Sequence, residues 1–196
     1  IDYADIGQYN PNLRSIVAYN TDSDVIPTVR SNGVLLAQIT PQGGTISGSS
    51  SVVQLDAWNW EDATYRADEG IHVRWPQMRT FGGWETGNPE MKKNDQYDKD
   101  VMVLRRFFEE ARAYAQQPAP EPKNLRFEAM RALFDQKGTL YIHSDQVKTI
   151  QESVLFAESC GFRKVIVGAN DAWLIPDFLK SHEVPEKKGK TQSLPS

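Results

Sequence analysis

Cysteine is almost missing from this sequence, with Cys160 the sole example in 196 residues. An intramolecular disulfide is therefore impossible, and a thiolate metal cluster is excluded. Histidine is nearly as scarce. His72, His143 and His182 lie far apart, so no His-x-His or His-x-x-x-His pair exists. Positive charge is not in excess either: 22 Lys and Arg stand against 26 Asp and Glu, for a formal net charge of −4, and the cations are spread along the chain. A nucleic-acid partner, which calls for a concentrated basic patch, is not expected. No apolar run reaches the length of a bilayer span, so no membrane helix is expected. The chain starts at Ile1 rather than Met, with no charged-then-apolar leader, as expected of a processed N-terminus or of part of a longer polypeptide. What is present is the composition of a globular protein, 39% hydrophobic and 24% charged, enough for one substantial core. One domain is expected over residues 1–196.

The C-terminal half has the clearer pattern. Thr139-Leu140-Tyr141-Ile142-His143 is a β-prone run. Asp145 offers an N-cap, Val147, Ile150, Val154 and Ala157 follow at helical spacing, and Gly161 closes the segment. Lys164 to Val167 is a second β-prone run, Gly168 to Asp171 a turn, and Ala172 to Ser181 a further helix. This β-α-β-α series predicts a parallel sheet. In the first half, Pro11 to Arg30 reads as helical and Val34 to Ile39 as a buried strand. A Gly- and Ser-rich stretch from Thr40 to Ser51 precedes a β-prone run at Val52 to Leu55, and Ile71 to Trp75 is another strand candidate. Residues 77–98 are long for a plain connection and read as an insertion or functional loop. Val101, Leu104, Phe108, Ala111 and Ala115 mark an amphipathic helix, Gln117 to Lys123 a proline-rich linker, and Leu125 to Phe134 a short helix.

Ligands of βα proteins sit at the carboxyl ends of the strands. That rule selects His143, which ends its strand, and Asn170 and Asp171 one unit later. His143 is the candidate metal ligand, neutral imidazole being the commonest zinc donor. The alternative is a histidine bonded to a neighbouring loop. His72 is a ligand-binding candidate whose facing depends on strand register. Gly43 and Gly44 could cradle an anion through backbone N–H groups or simply form a tight turn. Trp75, with Trp58, Trp60 and Trp84, could rim a ligand or fill a core. Asp56, Glu61 and Asp62 read as solvated carboxylates near a helix start, Asp145 and Asp171 as caps, and Cys160 as a small buried residue. His182 belongs at a helix C-terminus. No catalytic residue is assigned from the pattern alone.

Several stretches resemble one family. GVLLAQITPQGGTISGSSSVVQLDAW (Gly33 to Trp58), Asn59-Trp60-Glu61-Asp62 and Gly70-Ile71-His72-Val73 are similar to bacterial amidohydrolases related to imidazolonepropionase. Phe127-Glu128-Ala129, Leu140 to His143, and Val165 to Trp173 follow in the same order. The resemblance implies a metal-dependent hydrolase of C–N bonds, in cyclic amides or N-acyl or peptide-like groups, on a (β/α)₈ barrel. It implies zinc or another divalent metal in the intact protein. His143 matches the histidine ending the family's fifth strand, whereas Gly168 stands where the sixth-strand histidine would be. The His-x-His strand would precede Ile1, and the strand bearing the catalytic Asp would follow Ser196. The expected fold is therefore α/β, a partial (β/α)₈ TIM-barrel-like sheet of five or six mostly parallel strands, central to a larger barrel. Its edges would be covered by long loops or by a second copy of the chain. The isolated chain is expected to be inactive, with no tightly bound metal, and the partner expected is a small-molecule substrate. The resemblance leans towards a periplasmic or other extracytoplasmic setting and leaves a cytoplasmic one open. The alternative is a degenerate, non-catalytic barrel that binds a small ligand through the Trp-rich loops. A flavodoxin-like domain, with a cofactor at a switch point, is a third reading.

Overall fold

The structure, a computed structural model, describes residues 6–82 and 90–187. Its main sheet has six strands in the order β1 (Leu36–Ile39), β2 (Ile46–Gln54), β3 (Thr64–Arg74), β6 (Thr139–Ser144), β7 (Arg163–Gly168) and β8 (Glu186–Lys187). β4 (Arg79–Gly82) and β5 (Glu90–Lys93) form a separate antiparallel pair, so structure occupies part of the 77–98 segment read as a loop. The helices are α1 (Val25–Ser31), α2 (Trp60–Ala63), α3 (Tyr97–Ala115), α4 (Leu125–Phe134), α5 (Val147–Cys160) and α6 (Pro176–Ser181).

The expected partial (β/α)₈ TIM-barrel-like fold of mostly parallel strands is corrected here. The protein is α/β, but its sheet is a curled, mixed half-barrel. β1–β2 and β2–β3 are antiparallel, and only β3–β6, β6–β7 and β7–β8 are parallel. The reason lies in the connections. A parallel crossover takes about a dozen residues or more. Residues 40–45 join β1 to β2, and residues 55–63, with one turn of α2, join β2 to β3; both are too short. The chain can only turn back, and Ile46 to Ser51 of the Gly- and Ser-rich stretch make up most of β2. Strand order never reverses, so the sheet also lacks the switch point of a flavodoxin-like fold.

Alternation along the strands separates two faces. Ile71, Val73, Leu140, Ile142 and Ile166 share one core with Leu104, Phe108 and Ala111 of α3, Met130 and Leu133 of α4, and Ile150, Val154 and Ala157 of α5. The other face carries His72, Arg74, Tyr141, His143, Val165 and Val167, which the register places side by side. A smaller core of Ile16, Val53, Leu55 and Ala63 lies under the antiparallel strands, with Ile26 and Val29 of α1 packed on it.

Several local expectations change. Pro11 to Arg30 is not one helix: a 3₁₀ turn at Ser15–Ala18 and then α1 occupy it. The segment from Ala172 to Ser181 divides into a 3₁₀ turn, Ala172–Leu174, and α6, with Pro176 opening the second. α5 ends as expected at Gly161, which is left-handed. Among the described residues no helix is long and apolar enough to cross a membrane.

Candidate functional site

A cavity of about 410 Å³ opens at the carboxyl ends of β3, β6 and β7, within the size range of small-molecule sites. Arg74, Trp75 and Gln77 line it from the end of β3, His143 and Asp145 from the end of β6, and Val167, Gly168 and Asn170 from the end of β7. Parallel strands in register bring these three chain segments together, with Arg74 beside His143 and His143 beside Val167.

His143 is the centre of the arrangement. Its Nε2 lies 2.9 Å from Nδ1 of His72, so one ring N–H donates and the other ring nitrogen accepts. His72 is buried and stacks on Tyr141 with ring centroids 4.7 Å apart, which fixes its plane. Burial, aided by the charge of Arg74, pushes the His143 pKa down to about 4. Its imidazole is therefore neutral at physiological pH, the state in which it can accept a proton or donate a lone pair.

The wall beside it is held rigidly. Trp75 is buried and its indole N–H donates to the Tyr97 hydroxyl at 3.2 Å. Tyr97 in turn donates to Glu152 on α5. Burial and the Glu152 carboxylate push the Tyr97 phenol up to about 12, so it stays a donor.

Asp145 does not cap α5 as expected; the cap position belongs to Gln146. Its carboxylate instead accepts the Asn170 N–H at 3.4 Å across the cavity floor. This contact explains Gly168. The residue has φ +91°, and a Cβ there would lie 2.5 Å from Asp145 Oδ1. A histidine at 168 and Asp145 in its present position exclude each other.

The structure thus brings His72, Trp75, His143 and Asn170 together around one cavity or its wall. Asp171 sits just behind, its N–H bonded to the Asp145 carbonyl, and does not line the cavity. Gly43 and Gly44 form the turn between β1 and β2, outside that lining. Gly44 packs so close to the N-terminal segment that a Cβ would lie 2.7 Å from the Gly7 carbonyl. Among the described residues the tryptophans do not assemble into a rim: Trp75 is a buried wall and Trp58 is 93% exposed beside α2 at the opposite end of β3; Trp84 lies outside the described residues. His182 is the C-cap of α6, as expected, and its ring also bonds Glu158 at 2.8 Å. Arg74, Gln77 and Asp145 were not singled out as site residues. The pattern did contain one signal for Arg74, since it ends the strand that carries His72 two residues earlier.

The two imidazoles can be tested as metal donors. Nitrogens sharing a tetrahedral zinc with bonds of about 2.0–2.1 Å stand about 3.3 Å apart. The observed 2.9 Å is near that spacing. A catalytic zinc takes three protein ligands, and among the described residues no three His, Cys, Asp or Glu side chains come together to hold an ion. These residues contribute two donors and do not by themselves make a metal centre.

No protein-family model and no curated protein matches this sequence. Among solved structures, the chain superimposes on an amidohydrolase from Thermotoga maritima MSB8 with a TM-score of 0.78 and 18% identity. The match covers 96% of this chain and 50% of that one, so the chain spans half the length of its structural relative. What the two share at this identity is the fold.

Proposed function

We propose that this chain forms part of an amidohydrolase-type enzyme that hydrolyses a C–N bond, in a cyclic amide or an N-acyl or peptide-like group, of a small molecule. One observation carries the reading: the neutral His143 imidazole, hydrogen-bonded to His72, stands at a cavity on the carboxyl ends of three parallel strands. The structural relative is itself described as an amidohydrolase, and the motifs from Gly33 to Trp58 and from Leu140 to His143 point to relatives of imidazolonepropionase. In this reading His143 contacts the reacting group, His72 orients its ring, and Asp145 and Asn170 hold the polar atoms of the substrate. Zinc or another divalent ion belongs to the proposal for the intact protein, which would supply a third donor from beyond the described residues. A metal-polarised carbonyl is the chemistry such an ion contributes.

A second reading, a degenerate relative that binds a small ligand without turning it over, is favoured by one feature. Asp145 fills the space that a histidine at Gly168 would need. Purified protein with and without added zinc, assayed on a panel of N-acyl amino acids and cyclic amides, separates the two. Hydrolysis that is lost on chelation and in His143→Ala supports the enzyme. Ligand binding with no turnover at any zinc concentration supports the binder.

A further inference from the structure

A second cavity, of about 350 Å³, lies at the other end of the β3–β6 pair, where Gly70 first meets Thr139. Helix α4 borders it. Leu125, Ala129 and Ala132 fall at i, i+4 and i+7, on one helix face, and all three line the space. The two alanines are too small to fill the gap to the sheet. On the sheet side Gly70 has no side chain to offer, and a Cβ there would lie 2.2 Å from the Thr139 carbonyl oxygen. Ile71 and Leu133, both buried core residues, form the floor, and Leu125, 69% exposed, stands at the rim. The result is an apolar slot that shares no lining residue with the His143 cavity.

Arg14, Asp68 and Glu128 are the charged residues of this lining, and each is already answered. Asp68 accepts from Arg14 Nε at 2.9 Å and Nη2 at 2.8 Å, and from Ser49 Oγ at 2.9 Å. Glu128 accepts from Arg131 Nε at 3.0 Å and from the Tyr114 hydroxyl at 3.1 Å. The two pairs cancel, so the slot presents apolar walls with no uncompensated charge. A charged ligand would leave water with no free counter-ion to meet it, which is costly. We infer that this slot is a second small-molecule site, and that it takes a neutral, largely apolar molecule about the size of one substituted ring. Its volume falls at the lower end of the range of small-molecule sites. The inference is independent of the proposed hydrolase, because it uses none of the residues assigned to that site.

The experiment titrates benzyl alcohol into the protein and follows the Ile71 and Ala129 methyl signals by NMR. The Ala37 methyl, in the wider groove between α1 and β1, serves as the control. Benzoate and benzylamine, the anionic and cationic counterparts, are titrated in parallel. Saturable shifts at Ile71 and Ala129 are expected with benzyl alcohol, and binding about tenfold or more weaker for either ion. Ala129→Leu fills the slot with a residue that suits a helix nearly as well as alanine. It is expected to remove binding without lowering the melting temperature. If that variant does not fold, the charge series in the unaltered protein still decides. Equal or tighter binding of either ion, saturation confined to Ala37, unchanged binding in folded Ala129→Leu, or no saturable shift would overturn the inference. None of these results bears on hydrolysis or on His143, so this site and the proposed enzyme stand or fall separately.

Discussion

The two halves of the sheet are built from different material and do different things. β3, β6 and β7 run parallel, and their outward residues Ile71, Val73, Leu140, Ile142 and Ile166 are sealed under helices. β1 and β2 run antiparallel to their neighbours; β2 is rich in serine, and β1 is the end strand with Leu36 half exposed. The helices that cross between parallel strands bury one face of the sheet and leave every strand end on the same side. That is why the parallel half gathers Arg74, His143 and Gly168 at one mouth. The antiparallel half, joined by short turns, sends its strand ends to opposite sides, and the cavity it lines with α1, among Ile26, Val29, Ala37, Ile39 and Leu55, is mostly apolar.

The largest effect that would sharpen this contrast is in the core. Leu140 is fully buried, and Leu140→Ala should cost about 2–5 kcal/mol. Leu36→Ala, on the exposed end strand, should stay within about 0.5 kcal/mol. Urea denaturation of both variants measures the difference, and similar losses would erase the distinction between the halves.

Acid should act next, and through the parallel half. The folded pKa of His143 is depressed from 6.5 to about 4. Below pH 6.5 the unfolded chain takes up a proton that the folded chain refuses. The stabilising contribution is therefore complete above pH 6.5, falls as pH drops, and is gone below pH 4. The full span corresponds to about 3 kcal/mol. Denaturation at pH 7 and pH 4 should show this loss in the unaltered protein and a smaller one in His143→Gln, both with chelator present.

Backbone substitutions probe each half in turn. Gly44→Ala meets the Gly7 and Gln8 carbonyls at φ +62°, where only main chain could move, and should cost about 2–3 kcal/mol. Gly168→Ala, at φ +91°, meets the end of the Asp145 side chain, which can shift. It should cost nearer 1–2 kcal/mol while displacing the Asp145 carboxylate. Melting curves rank the two, and the Asn170 amide signal reports the displacement.

The smallest effect belongs to the antiparallel half's surface. Arg14 holds Asp68 at 2.8 Å, with both side chains well exposed. Arg14→Gln should cost under about 1 kcal/mol and less in salt.

How much of this was legible beforehand follows the same division. α3, α4, α5, β6 and β7 were readable because each carries a clean periodicity and a stop signal, such as Gly161 after α5. The first half of β2 was hidden because serine and glycine there mask a strand, and its antiparallel pairing follows from short flanking turns that periodicity does not mark. The strand-end rule pointed to His143 and Asn170. Pairing of His72 with His143 depended on register between strands far apart in sequence, which periodicity does not encode. Asp145 looked like a cap because sequence shows what precedes a helix and not what the next strand brings alongside.

The central claim is that a neutral His143 imidazole, hydrogen-bonded to the buried His72, stands at the mouth formed by the parallel strands. Nitrogen-15 NMR titration of the histidine rings tests it most directly. The account predicts that His143 stays neutral down to about pH 4, with Nε2 hydrogen-bonded to His72. It also predicts that replacing His72 by Phe abolishes that bond while the fold persists. A His143 ring that titrates near pH 6.5 with both nitrogens solvated would contradict it.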